Sequence, residues 1–153
     1  MPLLAATRLN LFEGLIGTID RWAARHRDLA SQAPHLELGL RGEEAAFFYL
    51  RRLGFTVVAR RWRSHRYAGD LDLVAWEGDT LCFVEVKTRS SRDVATAEAA
   101  VDEHKRKTLR RIARHYLRQI RPEPPARFDV LSIYFENGQP GEFQLIRGAF
   151  DWA

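Results

Sequence analysis

The stretch Asp70-Leu-Asp72-Leu-Val-Ala-Trp76-Glu-Gly78-Asp-Thr80-Leu-Cys82-Phe-Val-Glu85-Val-Lys87 decides how this chain is read. Two runs of strand formers flank Gly78-Asp79, which suits a two-residue turn with glycine at its first central position. Such a turn sets the register. Glu77 pairs with Thr80, and each pair steps outward by one residue on both arms. Asp72 then falls opposite Glu85, and Asp70 opposite Lys87. Alternate residues of a strand share a face, so these four side chains point to one side. Directly opposed Cβ atoms lie roughly 4.5–5.5 Å apart.

Like charges in that position destabilise a sheet. Asp72 against Glu85 therefore calls for a cation, and Mg2+ is commonly held by one or two carboxylates together with substrate phosphate. Lys87 adds a fixed positive charge at the same place. The simpler alternative is a hairpin whose charged face meets water. Against it, Val74, Trp76, Leu81 and Phe83 lie on the same face, and Leu71, Leu73, Ala75, Cys82, Val84 and Val86 on the other. Both faces are apolar near the turn, so the acids stand at the end of a covered sheet.

A length of 153 residues fits one domain. With 46% hydrophobic and 29% charged residues, the chain can bury a core. A formal net charge of +4 leans toward polyanionic partners. The single cysteine, Cys82, rules out a disulfide framework or a cysteine-based zinc site and fits a reducing cytoplasm. No apolar run approaches the length needed to span a membrane, so no membrane partner is expected. The first residues lack the early basic region of a signal peptide, and Arg8, Asn10 and Glu13 interrupt their apolar pattern.

Residues 1–38 read as a separate piece. Leu11, Phe12, Leu15, Ile16, Ile19 and Trp22 recur at helical spacing, which predicts an amphipathic helix over about 9–29 and a linker at 31–35. That helix packs on its own domain by the simplest reading; a partner-binding role, including a homodimer, is the alternative. Residues 39–153 form the main domain. A helix over 41–53 is closed by Gly54, with Ala46, Tyr49, Leu50 and Leu53 as its stripe and Glu43 aligned with it. An acid in a core stripe is unusual, though the helix dipole also favours one there. A strand over 55–62 leads into the basic loop Arg63-Ser-His-Arg66-Tyr-Ala-Gly69. After the hairpin, residues 90–97 are polar, and a helix over about 98–120 presents Leu109, Ile112, Ala113, Tyr116, Leu117 and Ile120, interrupted by Lys105. Strands over 127–135 and 142–146 meet at Asn137-Gly138. Helix, three strands, helix and strands make an α/β layered domain with a mixed sheet.

Basic residues bracket the acidic hairpin. Arg51 through Arg66 holds six arginines and no acid, and His104 through Arg121 eight lysines or arginines and no acid. Arg63, Arg66 and Arg110 lie in these runs. Such surfaces attract phosphate backbones without reading sequence. Metal-holding acids beside a lysine suit phosphodiester hydrolysis, in which the metal polarises the phosphoryl group and lowers the pKa of a bound water. Neither a phosphate-cradling glycine loop nor a nucleophile-elbow serine is present, and the five histidines show no metal-ligand spacing.

Asp72 followed by Glu85-Val-Lys87 resembles the P-D…(D/E)-x-K signature of restriction-endonuclease-like nucleases. More closely, the chain resembles the bacterial YraN-like group, uncharacterised protein family 0102, itself similar to archaeal Holliday junction resolvases. The matching stretches are Gly42-Glu43-Glu-Ala-Ala46-Phe-Phe-Tyr49-Leu50, Gly69-Asp-Leu-Asp72, Phe83-Val-Glu85-Val-Lys87-Thr-Arg89, Lys105 with Leu109, Arg127-Phe-Asp129-Val and Ile146-Arg-Gly-Ala-Phe150. The resemblance implies a restriction-endonuclease-like fold with three layers, a mixed central sheet flanked by helices. It implies Asp72 and Glu85 as metal ligands for Mg2+ or Mn2+, Glu43 as a helix acid near the metal, Lys87 as the catalytic lysine, and Lys105 and Arg89 as phosphate contacts. Asp70 stands where the family usually has Glu. The expected activity is endonucleolytic cleavage of DNA, branched or damaged; the alternative is a nucleic-acid-binding module without turnover.

Overall fold

The computed structural model describes residues 34–90 and 101–153. The chain divides into two compact units, Met1–Leu40 and Arg41–Ala153. The helix expected over 9–29 and the polar segment after Ser90 lie outside the described residues.

Helix α1 (Pro34–Arg52) precedes strands β1 (Thr56–Arg63), β2 (Asp70–Glu77) and β3 (Thr80–Arg89); helix α2 (Glu103–Leu117) then leads to β4 (Ala126–Glu136) and β5 (Gln139–Phe150). The strands form one sheet in chain order. Only β3 and β4 run parallel. A parallel neighbour requires a crossover, and α2 lies in that connection.

Three boundaries depart from the sequence expectation. Helix α1 begins at Pro34, inside the expected linker, so residues 38 and 39 lie within a helix. Proline suits a helix's first turn because the N–H it lacks has no helical acceptor there. Leu53 is 45% exposed, and Phe47 takes a buried place instead. Helix α2 starts at Glu103, later than about 98, because Asp102 caps it and accepts the Lys105 amide at 2.8 Å. Strand β5 outruns the expected 142–146, since β4 pairs along it from Glu136–Gln139 to Phe128–Phe150.

The hairpin turn forms as expected, with Gly78 at φ 58, and the register holds from Glu77–Thr80 through Leu73–Val84. On one face Val74, Leu81, Phe83, Phe128 and Val130 pack with Leu109, Ile112, Ala113 and Leu117 of α2. On the other, the part of α1 from Arg41 onward meets the sheet. Tyr49 stacks on Phe143 of β5 at 4.4 Å, and the Arg60 guanidinium of β1 lies 4.5 Å over the Phe47 ring. The result is an α/β domain with a five-stranded mixed sheet between two helices.

Near the hairpin turn, ion pairs tie three strands together. Glu77 accepts from Arg147 of β5 at 2.7 Å and also pairs with Arg127 of β4. Arg127 in turn donates to the fully buried Asp129 at 2.8 Å. Hydrogen bonds from Arg147 foremost, then Arg127, hold the Glu77 carboxyl at about 2. A depressed carboxyl contributes stability above its unfolded value of 4.5, and that stability is lost as pH falls toward about 2. Glu77→Gln should therefore flatten the acid side of a Tm-against-pH curve, most visibly between these values.

Gly42 sets the approach of α1 to β3. A Cβ there would run into Thr88 Oγ1 and lie 3.2 Å from Thr88 Cβ. Gly42→Ala should destabilise the fold by about 1–3 kcal/mol, the usual range for overpacking, in urea unfolding. Adding Thr88→Ala should recover part of that loss.

Candidate functional site

β2 and β3 stop pairing after Leu73–Val84. Asp72 therefore does not sit across a ladder pair from Glu85. Its side chain takes the backbone position instead: Oδ2 accepts the Val86 amide at 2.8 Å. Asp70 is not opposite Lys87 either. It pairs in register with Arg63 of β1, and its carboxylate lies 3.7 Å from Arg63 Nη2. The physical reason is the same for both: β2 leaves β3 where Asp72 captures the amide and continues only alongside β1.

Glu85 is 5% exposed. Its Oε1 lies 2.9 Å from Lys87 Nζ and 3.3 Å from Lys105 Nζ of α2. Its Oε2 is buried with no hydrogen-bond partner. Burial, and then the nearby Glu85 charge, hold Asp72 well above the usual carboxylate range, against the Val86 hydrogen bond. Burial pulls the Lys105 ammonium down, but Glu85 and Asp72 together outweigh it and raise its pKa. Glu43 is raised by burial, opposed by Arg61 and reinforced by the charges of Asp70 and Glu85. Its carboxylate lies 3.4 Å from Arg61 Nε. Glu43, Asp70, Asp72, Glu85, Lys87 and Lys105 thus act electrostatically on one another at the end of the sheet.

A divalent cation fits this donor set in two respects. Glu85 Oε2 is a buried acceptor without a donor, and unpaired groups of that kind cost stability unless something completes them. The oxygens are hard donors, and the two lysine ammoniums reach Glu85 only at Oε1, which leaves Oε2 beside Asp72 for a cation. Among the described residues no group of three or more Asp, Glu, His or Cys side chains stands ready to hold a metal. Asp72 and Glu85 would therefore hold Mg2+ with water and substrate oxygens completing its shell, the usual pattern for that ion.

The other residues expected to bind a phosphate backbone separate into two groups. Arg63, at the end of β1, and Arg66, on the loop before β2, are exposed. Arg89 and Arg110 are buried. Arg110 corrects the expectation of a solvent-facing helix arginine: its Nε donates to the Asp151 carbonyl at 2.7 Å and its Nη1 to Glu103 at 2.7 Å. It ties the end of β5 to α2 because its position falls beside Leu109 on the packed side of the helix.

Two residues at the site carried no sequence signal. Arg61 has a positive φ of 46 within β1, an uncommon state for a residue with a side chain, and it is the partner of Glu43. Ser132 is fully buried and pairs in register with Lys87 on β4, and its Oγ has no partner. Cys82, by contrast, is chemically quiet: burial foremost, then Asp129, pushes its thiol up to about 12.

Residues 42–133 match the model of a protein family described as uncharacterised protein family UPF0102. The chain belongs to that family. A UPF0102 protein of Koribacter versatilis is 52% identical over 116 residues, covering 76% of this chain and 80% of its own. One from Solibacter usitatus is 44% identical over 137 residues, covering 89% of this chain and all of its own. A third, from Rhodococcus opacus, is 41% identical over 119 residues. The UPF0102 match spans Glu43, Arg61, Asp70, Asp72, Glu85, Lys87, Lys105 and Ser132 at this end of the sheet.

For the UPF0102 chain in hand, the raised Asp72 gives a signed prediction. A carboxyl with a raised folded-state pKa contributes stability that is present below its unfolded value and lost as pH rises through the folded one. Above that range the partly buried Asp72 anion opposes folding. Asp72→Asn keeps an oxygen to accept the Val86 amide and carries no charge. In chelator it should melt at or above the wild-type temperature at pH 8, and the gap should close on acidification. A large loss of Tm at pH 8 would show the carboxylate to be structural.

Proposed function

We infer that this protein is a Mg2+- or Mn2+-dependent endonuclease that hydrolyses phosphodiester bonds in DNA, with branched or damaged DNA as its substrate class. The observation that carries this reading is the buried Glu85 carboxylate. Two lysines share one of its oxygens, and the other is buried and unpartnered beside an Asp72 held above the carboxylate range. A restriction-endonuclease-like fold related to archaeal Holliday junction resolvases belongs to the same proposal. It is supported by a mixed sheet that carries Asp72 on β2 and Glu85 and Lys87 on β3. A cytoplasmic location agrees with the buried, unpaired Cys82 thiol.

The roles follow from the contacts. Asp72 and Glu85 would hold the cation, which when bound would polarise the phosphoryl group and lower the pKa of a water. Val86 N–H fixes the Asp72 carboxylate so that it cannot rotate freely. Lys87 places its ammonium beside Glu85, where it orients the attacking water and offsets charge developing on the phosphoryl oxygens. Lys105, reaching the same carboxylate from α2, draws the phosphate backbone toward the sheet end. Glu43 stays tied to Arg61 and adds negative charge that favours a cation. The second reading, a nucleic-acid-binding module without turnover, has its own support: Lys87 and Lys105 already satisfy Glu85 Oε1 without any metal.

Purified protein with Mg2+ or Mn2+ should cut at least one of a linear, nicked, flapped or four-way-junction DNA. Glu85→Ala and Lys87→Ala should each lower the rate by about 100-fold or more, the scale of losing one group that stabilises developing charge. Mg2+ should also raise the wild-type Tm, because it binds the folded state preferentially, and leave that of Asp72→Asn nearly unmoved. DNA binding without cleavage of any of the four structures would favour the second reading.

A further inference from the structure

Around Tyr67, which packs against the core, the loop between β1 and β2 and the adjoining face of α2 carry a cluster of planar groups outside the cation site. Tyr67 has two guanidiniums over its ring, Arg111 at 5.4 Å and Arg66 at 5.8 Å. His65 meets the ring of His115 edge to face at 5.2 Å, and Tyr67 meets it at 5.6 Å. Trp62 lies 6.0 Å from His115 on the inner side and packs on the core. Tyr67 is half-buried, whereas His65, Arg66 and Arg111 are exposed.

The loop is held in place by its own contacts. Ser64 Oγ accepts the amides of Arg66 at 3.0 Å and Tyr67 at 3.2 Å. At the loop's far end Gly69 has φ +103, and a Cβ there would meet Ile112 Cδ1 at 2.9 Å and Thr108 Cγ2 at 3.0 Å. A side chain at Gly69 would push the loop off α2. The exposed ring and guanidiniums are therefore presented on a fixed frame, which limits the entropy lost when a ligand orders them. Lys105, at the cation site, lies six residues before Arg111 on α2, about 9 Å along a helix axis.

We propose that His65 and the guanidiniums of Arg66 and Arg111 form a stacking platform for unpaired DNA bases beside the cation site. This rests on the reading of that site as one for DNA and narrows its substrate to DNA with single-stranded character. Unstacked bases bind by lying on aromatic rings, histidine included, and on arginine planes, while the backbone follows positive charge. An acidic peptide would be served by the cations alone, and duplex DNA keeps its base faces stacked inside. The cluster supplies what a single strand needs: exposed planar faces interleaved with positive charge.

The test is fluorescence anisotropy with the full chain in chelator, using a labelled single-stranded oligonucleotide and its duplex at matched salt. The single strand should bind more tightly than the duplex. His65→Ala, at an exposed position, should weaken single-strand binding about tenfold, within the range for losing one base stack. Duplex binding should stay unchanged, and His65→Phe should restore the single-strand affinity. Arg111→Ala should weaken single-strand binding as well. Tighter duplex binding overturns the platform. So does equal loss on both probes in His65→Ala, no loss on either, or failure of His65→Phe to restore binding. Because no metal is present, the result is separate from catalysis. A protein that shows the stacking pattern and cuts nothing loses the endonuclease reading and keeps the platform; one that cuts DNA with no such pattern does the reverse.

Discussion

Asp72 accepts the Val86 amide at the point where β2 and β3 stop pairing, and the character of the whole sheet end follows from that hydrogen bond. Up to Leu73–Val84 the hairpin is an ordinary ladder with apolar side chains on both faces. Beyond it, a carboxylate stands in for the next backbone acceptor. Val86 therefore keeps a hydrogen-bond partner, and an ionisable group is drawn into a place where burial opposes its charge. Next to it Glu85 is buried as well, and the two lysines from β3 and α2 reach only one of its oxygens. The fold thus holds two carboxylates close together on little solvent and incomplete pairing, which costs stability and is the arrangement a cation relieves.

The rest of the domain secures that end from three directions. The Gly42–Thr88 contact brings the N-terminal part of the main domain's α1 onto β3, and with it Glu43. The crossover from β3 to β4 returns through α2 and delivers Lys105 from the opposite face. The β1–β2 loop closes the third side, fixed by Ser64 and Gly69. At the other end of the sheet, Glu77, Arg127, Asp129 and Arg147 form a fully compensated network, and Glu77 is depressed rather than raised. Two clusters of charge in one sheet are therefore opposite in kind: one is satisfied by guanidiniums from neighbouring strands, and the other is left with an unpartnered oxygen.

Much of this was legible in the sequence because it follows from short-range rules. The turn at Gly78-Asp79 needs a positive φ that glycine supplies, and from it the register of five pairs and the face of each side chain follow by alternation. The amphipathic stripe of α2 placed Leu109, Ile112, Ala113 and Leu117 in the core by spacing alone. Glu43 and Lys105 stood out as charges in apolar stripes, and both reach the cluster. Turn chemistry and periodicity are local, so a sequence states them without knowing the neighbours.

Tertiary structure decided what depends on the surroundings of a strand rather than its pattern. Alternation placed Asp72 across from Glu85, but only the assembled sheet showed β2 parting from β3, with a side chain replacing the next backbone acceptor. A run of basic residues looked uniform along α2, yet Arg110 is buried against Asp151 and Glu103 while Arg111 lies exposed over Tyr67; a single residue step, about 100° around the helix, separates a structural clamp from a surface group. Arg61, strained within β1, and Ser132, buried beside Lys87, carry no periodic or motif signal. Their positions arise from pairing between strands distant in the chain, and pairing partners, burial and the charge felt by a carboxylate are properties of the packed sheet, not of any segment read alone.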